Sequence, residues 1–251
     1  MKIIVISLVE SKSRRSYILH RSSALGFEFE FFDATTPRDL PSNKQNSAIA
    51  IWDSHVQSMS GFLESKEEYC LIFEDDVDLD SDVEIKVKTL TNLQEIMNCL
   101  PEGYSIIQFG NMGFKERNFL AKLLRNFFFF IFRRYHFDIV PFKKLRKNLG
   151  GARYAKLQKD LRELTGVRAK PLEGFTTGAQ AYLLNRSAAE FLTQEYSKRT
   201  DWDVHSRFSL DTFLEISSNS TFTPPQIKTI RLARSIFHQR PIDSTNTHFP
   251  S

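Results

Sequence analysis

Short apolar runs that break off into amphipathic or charged chain recur along the first 110 residues, and few folds accommodate them. KIIVISL, at residues 2–8, is continuously apolar, as a strand buried on both faces must be. YCLIF at 69–73 and YSIIQFG at 104–110 repeat the pattern. Between them, SYILHRSSALG reads as a short helix ending on Gly26, and FEFEFF at 27–32 alternates with period two. SAIAIWDSHVQSMSGFL sets Ile49, Trp52, Val56, Met59 and Leu63 at helical spacing, and VEIKVKTLTNLQEIMNCL reads as one further helix. Strands alternating with helices predict an α/β fold, a mostly parallel central sheet flanked by helices on both faces. Ligands of such sheets bind beyond the carboxyl ends of the strands.

Later, GAQAYLLNRSAAEFLTQEY reads as strand then helix, with Ser187 and Glu190 in capping-box spacing. FSLDTFLEI is a further short helix, and the tail, with Pro224, Pro225, Pro241 and Pro250, is loop and edge strand. With 251 residues, 41% hydrophobic and 25% charged, and with no repeat or linker, the expectation is a single domain over 1–251. The opening MKIIVISLVES resembles a secretory signal only until Glu10, and it lacks a small-residue cleavage site, so it reads as the first strand. Two cysteines, Cys70 and Cys99, point to a reducing compartment and no disulfide framework. The longest apolar stretch, FFFFIF at 127–132, runs straight into Arg133 and Arg134, too short to span a bilayer.

The net charge of +4 conceals an asymmetry: residues 115–170 hold 16 Lys and Arg against 4 Asp and Glu. This basic, aromatic segment is expected to be an insertion in the domain. Mixed Phe and Lys/Arg at helical spacing suits an interfacial helix on an anionic membrane surface; a solvated basic face is the alternative. No nucleic-acid motif is present, so nucleic acid is not an expected partner.

Opposite in sign is the run after YCLIF, where Glu74, Asp75, Asp76, Asp78, Asp80, Asp82 and Glu84 fall within eleven positions. Three chemistries compete. Acidic residues at a helix start are favoured by the dipole and need no ligand. An EF-hand would place Asp76, Asp78, Asp80 and Asp82 at its odd positions, but it requires Gly where Ser81 stands and Glu where Val87 stands. The third reading is a carboxylate pair holding a hard divalent cation against a diphosphate.

FEDDV after a buried strand resembles the Glu-Asp-Asp-Val motif of glycosyltransferase family 25, whose bacterial members build lipooligosaccharide. VISLVESKSRR, FEFFDA, DSHVQSM, TTGAQAYLLNRSAAEFL, SLDTFLEI and TPPQI are similar, in order, to further motifs of that family. The sequence departs from the pattern at AIAIWD, ahead of His55, and over residues 111–172. The resemblance implies a GT-A type fold. It also implies transfer of a hexose from a UDP-hexose donor, with Mn2+ or Mg2+ as cofactor, onto a lipooligosaccharide or lipopolysaccharide acceptor.

On this reading Asp76 is the metal ligand, with Glu74 helping the metal or the ribose and Asp75 beside them on the nucleotide. Ser7, Leu8 and Arg14, where the first strand passes into its helix, suit the nucleotide-sugar, and Arg14 can fork onto phosphate. Asp33, closing the second strand, can accept from uracil or ribose, or simply serve a turn. Gly178, Gln180 and Tyr182 open a strand where small residues admit an acceptor sugar, although Tyr182 equally suits a core position. His55 shares a helical face with Ile51, Trp52, Met59 and Phe62 and reads as a buried histidine.

Asp211, in the first turn of the SLDTFLEI helix, is the candidate general base of an inverting displacement, with Asp201, Asp203 and Glu215 as alternatives. The expected enzyme is a galactosyltransferase, peripheral on the cytoplasmic face of the inner membrane. Glucosyl transfer, another glycan or protein acceptor, or a catalytically silent glycan-binding protein are the rival functions.

Overall fold

Residues Lys2–Ser7 form β1, in which Ile3 and Val5 face one layer of the core and Ile4 and Ile6 the other. That two-sided burial follows from the period-two geometry of a strand whose four central residues, Ile3–Ile6, are all apolar. The computed structural model describes residues 1–42, 47–110, 149–167, 171–172, 180–198, 228–232, 235–237 and 239–240. Its helices are α1 (Lys12–Leu25), α2 (Ser47–Leu63), α3 (Val83–Thr91), α4 (Leu93–Asn98), α5 (Gly151–Thr165) and α6 (Arg186–Ser197). The remaining strands are β2 (Glu30–Asp33), β3 (Tyr69–Glu74), β4 (Tyr104–Gln108), β5 (Pro171–Leu172), β6 (Ala181–Asn185) and β7 (Lys228–Leu232).

The strands form one sheet in the order β2-β1-β3-β6-β4-β7-β5. Helices α1, α3, α4 and α5 cover one face through Ile18, Leu90, Ile96, Leu157 and Leu161. On the other face lie α2 and α6, which contribute Trp52, Val56, Met59, Phe62, Ala188 and Leu192. The α/β expectation therefore holds, but the sheet is mixed. Strands β1, β2, β3, β4 and β7 run one way, while β6 lies antiparallel between β3 and β4, and β5 antiparallel to β7. A buried apolar run looks the same in either direction, so the reversal of β6 is set by its connections and not by its residues.

Local chemistry explains several departures from the periodicity. α1 ends as expected at Gly26, in the left-handed region at φ 71°; the Gly26 and Phe27 N–H groups bond the Ser23 and Ser22 carbonyls in a Schellman closure. Of FEFEFF, strand pairing begins only at Glu30; of the two rings before it, Phe27 packs on Phe29 at 6.0 Å and Phe29 lies edge-on to Phe31 of the strand at 4.9 Å.

The helix expected over 83–100 is two helices. Asn92 breaks it, its side-chain amide donating to the Lys88 carbonyl at 2.8 Å and to the Leu164 carbonyl of α5 at 3.2 Å. Asn185, not Ser187, caps α6, its side-chain oxygen accepting from Ala188 N–H. Ile51, placed with His55 on one helical face, is half exposed, while Trp52, His55, Met59 and Phe62 are buried.

Of the basic segment, α5 is described: Leu157 and Leu161 are in the core, and Arg153, Lys156, Lys159 and Arg162 are on the exposed side. FFFFIF and the cations at 143–147 lie outside the described residues. Among the described residues no helix is long and apolar enough to cross a membrane. Both cysteines are free, and burial pushes Cys70 up to about 12 and Cys99 to about 11, far from reactive thiolates.

Two contacts hold the opposite edges of the sheet, Arg186 beyond the Tyr69 end of β3 and Gly110 beside the site. Arg186 donates to the Leu63, Ser65 and Glu67 carbonyls at and beyond the end of α2, satisfying groups the helix leaves open. Gly110, just after β4, lies against the backbone of two neighbours: an added Cβ would sit 2.6 Å from the Phe237 carbonyl oxygen and 2.9 Å from Ala181 N. Neither backbone can yield without moving its segment. Gly110→Ala is therefore expected to destabilise by about 3 kcal/mol, the upper range for overpacking, as read from urea denaturation. A wild-type midpoint would show that the two segments separate freely.

Candidate active site

The acidic run divides into two halves with different chemistry. In the second half, Asp78 folds the loop on itself, accepting from Asp80 N–H at 2.8 Å and from the Ser81 N–H and hydroxyl. Burial works against the Asp78 charge, but the Ser81 hydroxyl, these N–H groups and the Lys86 ammonium hold its carboxyl below the ordinary range. Arg21 pairs with Asp80. Lys86, wholly buried, donates to the Ser81 carbonyl and hydroxyl, and burial depresses its ammonium against the pull of Asp78, Asp82 and Asp80. Asp82 takes the left-handed backbone conformation at φ 48° as α3 begins. These charges are neutralised locally, as a helix-start loop requires.

The first half is not neutralised in this way. Glu74, Asp75 and Asp76 leave β3 at its carboxyl end, beside the ends of β1 and β2 and the start of β6. Asp75 is buried, accepting the Ser7 hydroxyl at 2.7 Å and pairing with Arg14 at 2.8 Å. Ser7, Arg14 and Asp75 thus form a strut between β1, α1 and β3, and the buried side chains of Ser7 and Asp75 are committed to it. Arg15, the neighbour of Arg14, spans the next gap: it donates to the Ser7 carbonyl at 2.9 Å and the Leu8 carbonyl at 3.1 Å, and it pairs with Asp33. The Asp33 side chain stays 65% exposed, open to a ligand beyond β2.

Glu74 meets His55, whose Nε2 lies 3.3 Å from Glu74 Oε1 and whose Nδ1 lies 2.8 Å from the Tyr182 hydroxyl. Tyr182, expected near an acceptor, is fully buried, and β6 alternation places it in the α2-side core. Gln180, at the mouth of β6, is also buried; its carbonyl accepts from Glu74 N–H at 2.9 Å, and its side-chain oxygen has no hydrogen-bond partner among the described residues. Asp76 accepts from the Gln239 side chain at 2.6 Å through Oδ2, while its Oδ1 is buried with no partner among the described residues. Gly178 and Asp211 lie outside the described residues, as do Asp201, Asp203 and Glu215.

Burial, reinforced by the neighbouring carboxylates, pushes Glu74 up to about 7 and Asp76 to about 7, against the pull of Arg14 on both and of Gln239 on Asp76. The folded chain therefore binds more protons than the unfolded chain between the ordinary carboxylate range and about 7, and its stability falls as pH rises through that window. A cation at the two carboxylates would reverse the loss. Mn2+ is expected to raise Tm more at about pH 8 than at about pH 5, where protons compete for the same oxygens. Equal shifts at both pH values, in thermal melts of the full chain, would show that the cation acts elsewhere.

These donors suit a hard ion. Carboxylate oxygens are its preferred ligands, and Asp76 Oδ1, buried and without a partner among the described residues, is an acceptor that such an ion would satisfy. Among the described residues no three His, Cys, Asp or Glu side chains converge to hold a metal by themselves. An ion held by one or two carboxylates would draw its remaining ligands from substrate phosphate and water, the usual arrangement for Mg2+-type sites.

Fold and geometry together describe an α/β protein with a cluster of acidic side chains at the carboxyl edge of its sheet. Its first 60 residues match the family model of glycosyltransferase family 25 (LPS biosynthesis protein), the family its motifs resemble. The match spans β1, α1, β2 and most of α2, so it includes Ser7, Leu8, Arg14, Asp33 and His55 and stops short of Glu74. It supports a glycosyltransferase of lipopolysaccharide biosynthesis, which requires a sugar donor and a glycan acceptor. No curated protein matches the chain significantly.

The His55 contact with Glu74, the Arg15 bridge and the Gln239 contact were not legible in the sequence. The paired arginine of ESKSRR marks the right place for Arg15. Gln239 carries no local signal, and the DSHVQSM motif marks His55 without its partner; the two pairs are 163 and 19 residues apart.

Proposed function

We propose that this chain is a GT-A type glycosyltransferase that moves a hexose, galactose before glucose, from a UDP donor to a lipooligosaccharide acceptor. The observation that carries the reading is Asp76: a half-buried carboxylate just past a strand end, one oxygen held and the other buried with no partner among the described residues, near Glu74 in a glycosyltransferase-like chain. Asp76 and Glu74 would hold Mn2+ or Mg2+, which when bound supplies Lewis-acid stabilisation of the departing diphosphate.

Arg14, 28% exposed at its side chain beside Asp75, keeps guanidinium donors for phosphate. Exposed Asp33 offers an acceptor for the ribose or base. The strut of Ser7, Arg14 and Asp75 keeps this edge rigid, so the donor meets a preformed surface. His55, anchored on Tyr182, limits the motion of Glu74. The acceptor would approach from the side of Gly178 and Gln180, with Asp211 taking its proton in an inverting displacement. The basic segment would hold the enzyme on the anionic cytoplasmic face of the inner membrane, where such acceptors are built.

Incubation of the full chain with a panel of UDP-hexoses and truncated lipooligosaccharide, with and without Mn2+, tests this reading. One hexose, galactose first, is expected in an inverted linkage and only with the cation. Failure of every donor to give product, together with no Mn2+-dependent binding of UDP, would reject it.

A further inference from the structure

The two oxygens of Asp76 have different surroundings. Oδ2 accepts from Gln239 Nε2 at 2.6 Å, and Oδ1 is buried without a partner among the described residues. A carboxylate torsion is broad and roughly two-fold, so an Asp at a strand end would by itself present either oxygen over a range of angles. Gln239 removes that freedom.

It does so from a segment that is itself well anchored. Ser235 Oγ donates to the Phe109 carbonyl at 3.2 Å, and Ile236 N–H donates to the same carbonyl at 2.8 Å. Phe237 packs edge-on against Phe73 at 4.9 Å, and Val77 and Gln239 form an antiparallel bridge. Arg240 N–H donates to the Asp76 carbonyl at 2.7 Å, and its guanidinium lies 3.8 Å from the centre of the Tyr17 ring. The backbone of Gln239 is thus held independently of its side chain, which spends its amide on the carboxylate.

We infer that Gln239 is a positioning residue of the active site, fixing the Asp76 carboxylate so that Oδ1 is presented to the divalent cation of the donor complex. This rests on Asp76 being the ion's ligand. Outer partners of this kind orient a ligand and are commonly worth 10- to 100-fold in metal affinity.

The test measures Mn2+ binding to the full chain in the presence of UDP, by the paramagnetic resonance of free Mn2+, alongside thermal melts. Gln239→Met keeps length and removes the donor; Gln239→Leu serves if the thioether is not accommodated. Mn2+ affinity is expected to fall about 10- to 100-fold with little change in Tm, because the backbone anchors remain. In an Asp76→Asn background the same substitution should add nothing, since its whole effect passes through that carboxylate.

Wild-type affinity in Gln239→Met, with affinity lost in Asp76→Asn, would overturn the inference and leave the site reading intact. An equal loss in both backgrounds would overturn it too, marking Gln239 as a structural residue. Unchanged Mn2+ binding in Asp76→Asn would overturn the site reading, and the inference with it.

Discussion

Asp76→Asn is expected to cut cation-stimulated turnover by about 10²-fold or more, beyond the loss typical of an outer-shell partner, without destabilising the protein. The two halves of this expectation have one cause. Burial and the neighbouring carboxylates already push the Asp76 carboxyl up to about 7, so the folded chain without a cation bears an unfavourable charge there. A neutral amide of the same shape removes that charge, and the Gln239 amide can turn to offer its oxygen to the new N–H donor. Tm should therefore hold or rise while Mn2+-dependent UDP binding falls.

Asp82→Asn is the matched control. Its residue sits at φ 48°, a backbone conformation asparagine adopts readily, in the half of the acidic run neutralised by Lys86 and Arg21. Turnover there should stay within about twofold, the small range usual for surface changes away from structural features. Equal losses at Asp76 and Asp82 would mean that the run acts through its summed negative charge, and the assignment of Asp76 would fall.

For Asp211→Asn the expected loss is in kcat, roughly 10²- to 10⁴-fold, the span of general-base catalysis, with little change in donor affinity. An inverting transfer takes the acceptor proton on the face opposite the departing UDP, so the base must stand apart from the metal carboxylates. The described acids near the strand ends are already engaged: Asp75 with Arg14 and Ser7, Asp33 with Arg15, Glu74 with His55. Asp53 is likewise taken, accepting from the Thr35 hydroxyl at 2.7 Å and the Tyr196 hydroxyl at 2.7 Å.

We therefore propose Asp211 as the base, the acid that the sequence reading places in the first turn of a predicted SLDTFLEI helix, whose dipole would keep it ionised. Steady-state kinetics and the anomeric configuration of the product decide the matter. A retained configuration, or near-normal kcat in a folded Asp211→Asn variant, would remove Asp211 from the mechanism and turn attention to Asp201, Asp203 and Glu215.

By itself the sequence determined the layers and the edge at which the chemistry sits. The apolar stretches IIVI of the first strand and YCLIF read as strands buried on both faces; the stripe of Trp52, Val56 and Met59 reads as the buried face of a helix; and FEDDV follows as the end of a strand. These features depend on contacts with period two or 3.6 along the chain, and a reader of residues sees those directly.

Tertiary structure alone decided the direction of β6, since an apolar strand carries no mark of its polarity. It alone divided the seven acids into a self-neutralised loop and a charged site, because Arg21 and Lys86 reach that loop from helices on either side of it. It also seated His55 on Glu74 and Gln239 on Asp76. Those pairings join residues 19 and 163 positions apart, and no local pattern encodes a hydrogen bond that exists only once the sheet has brought its strand ends together.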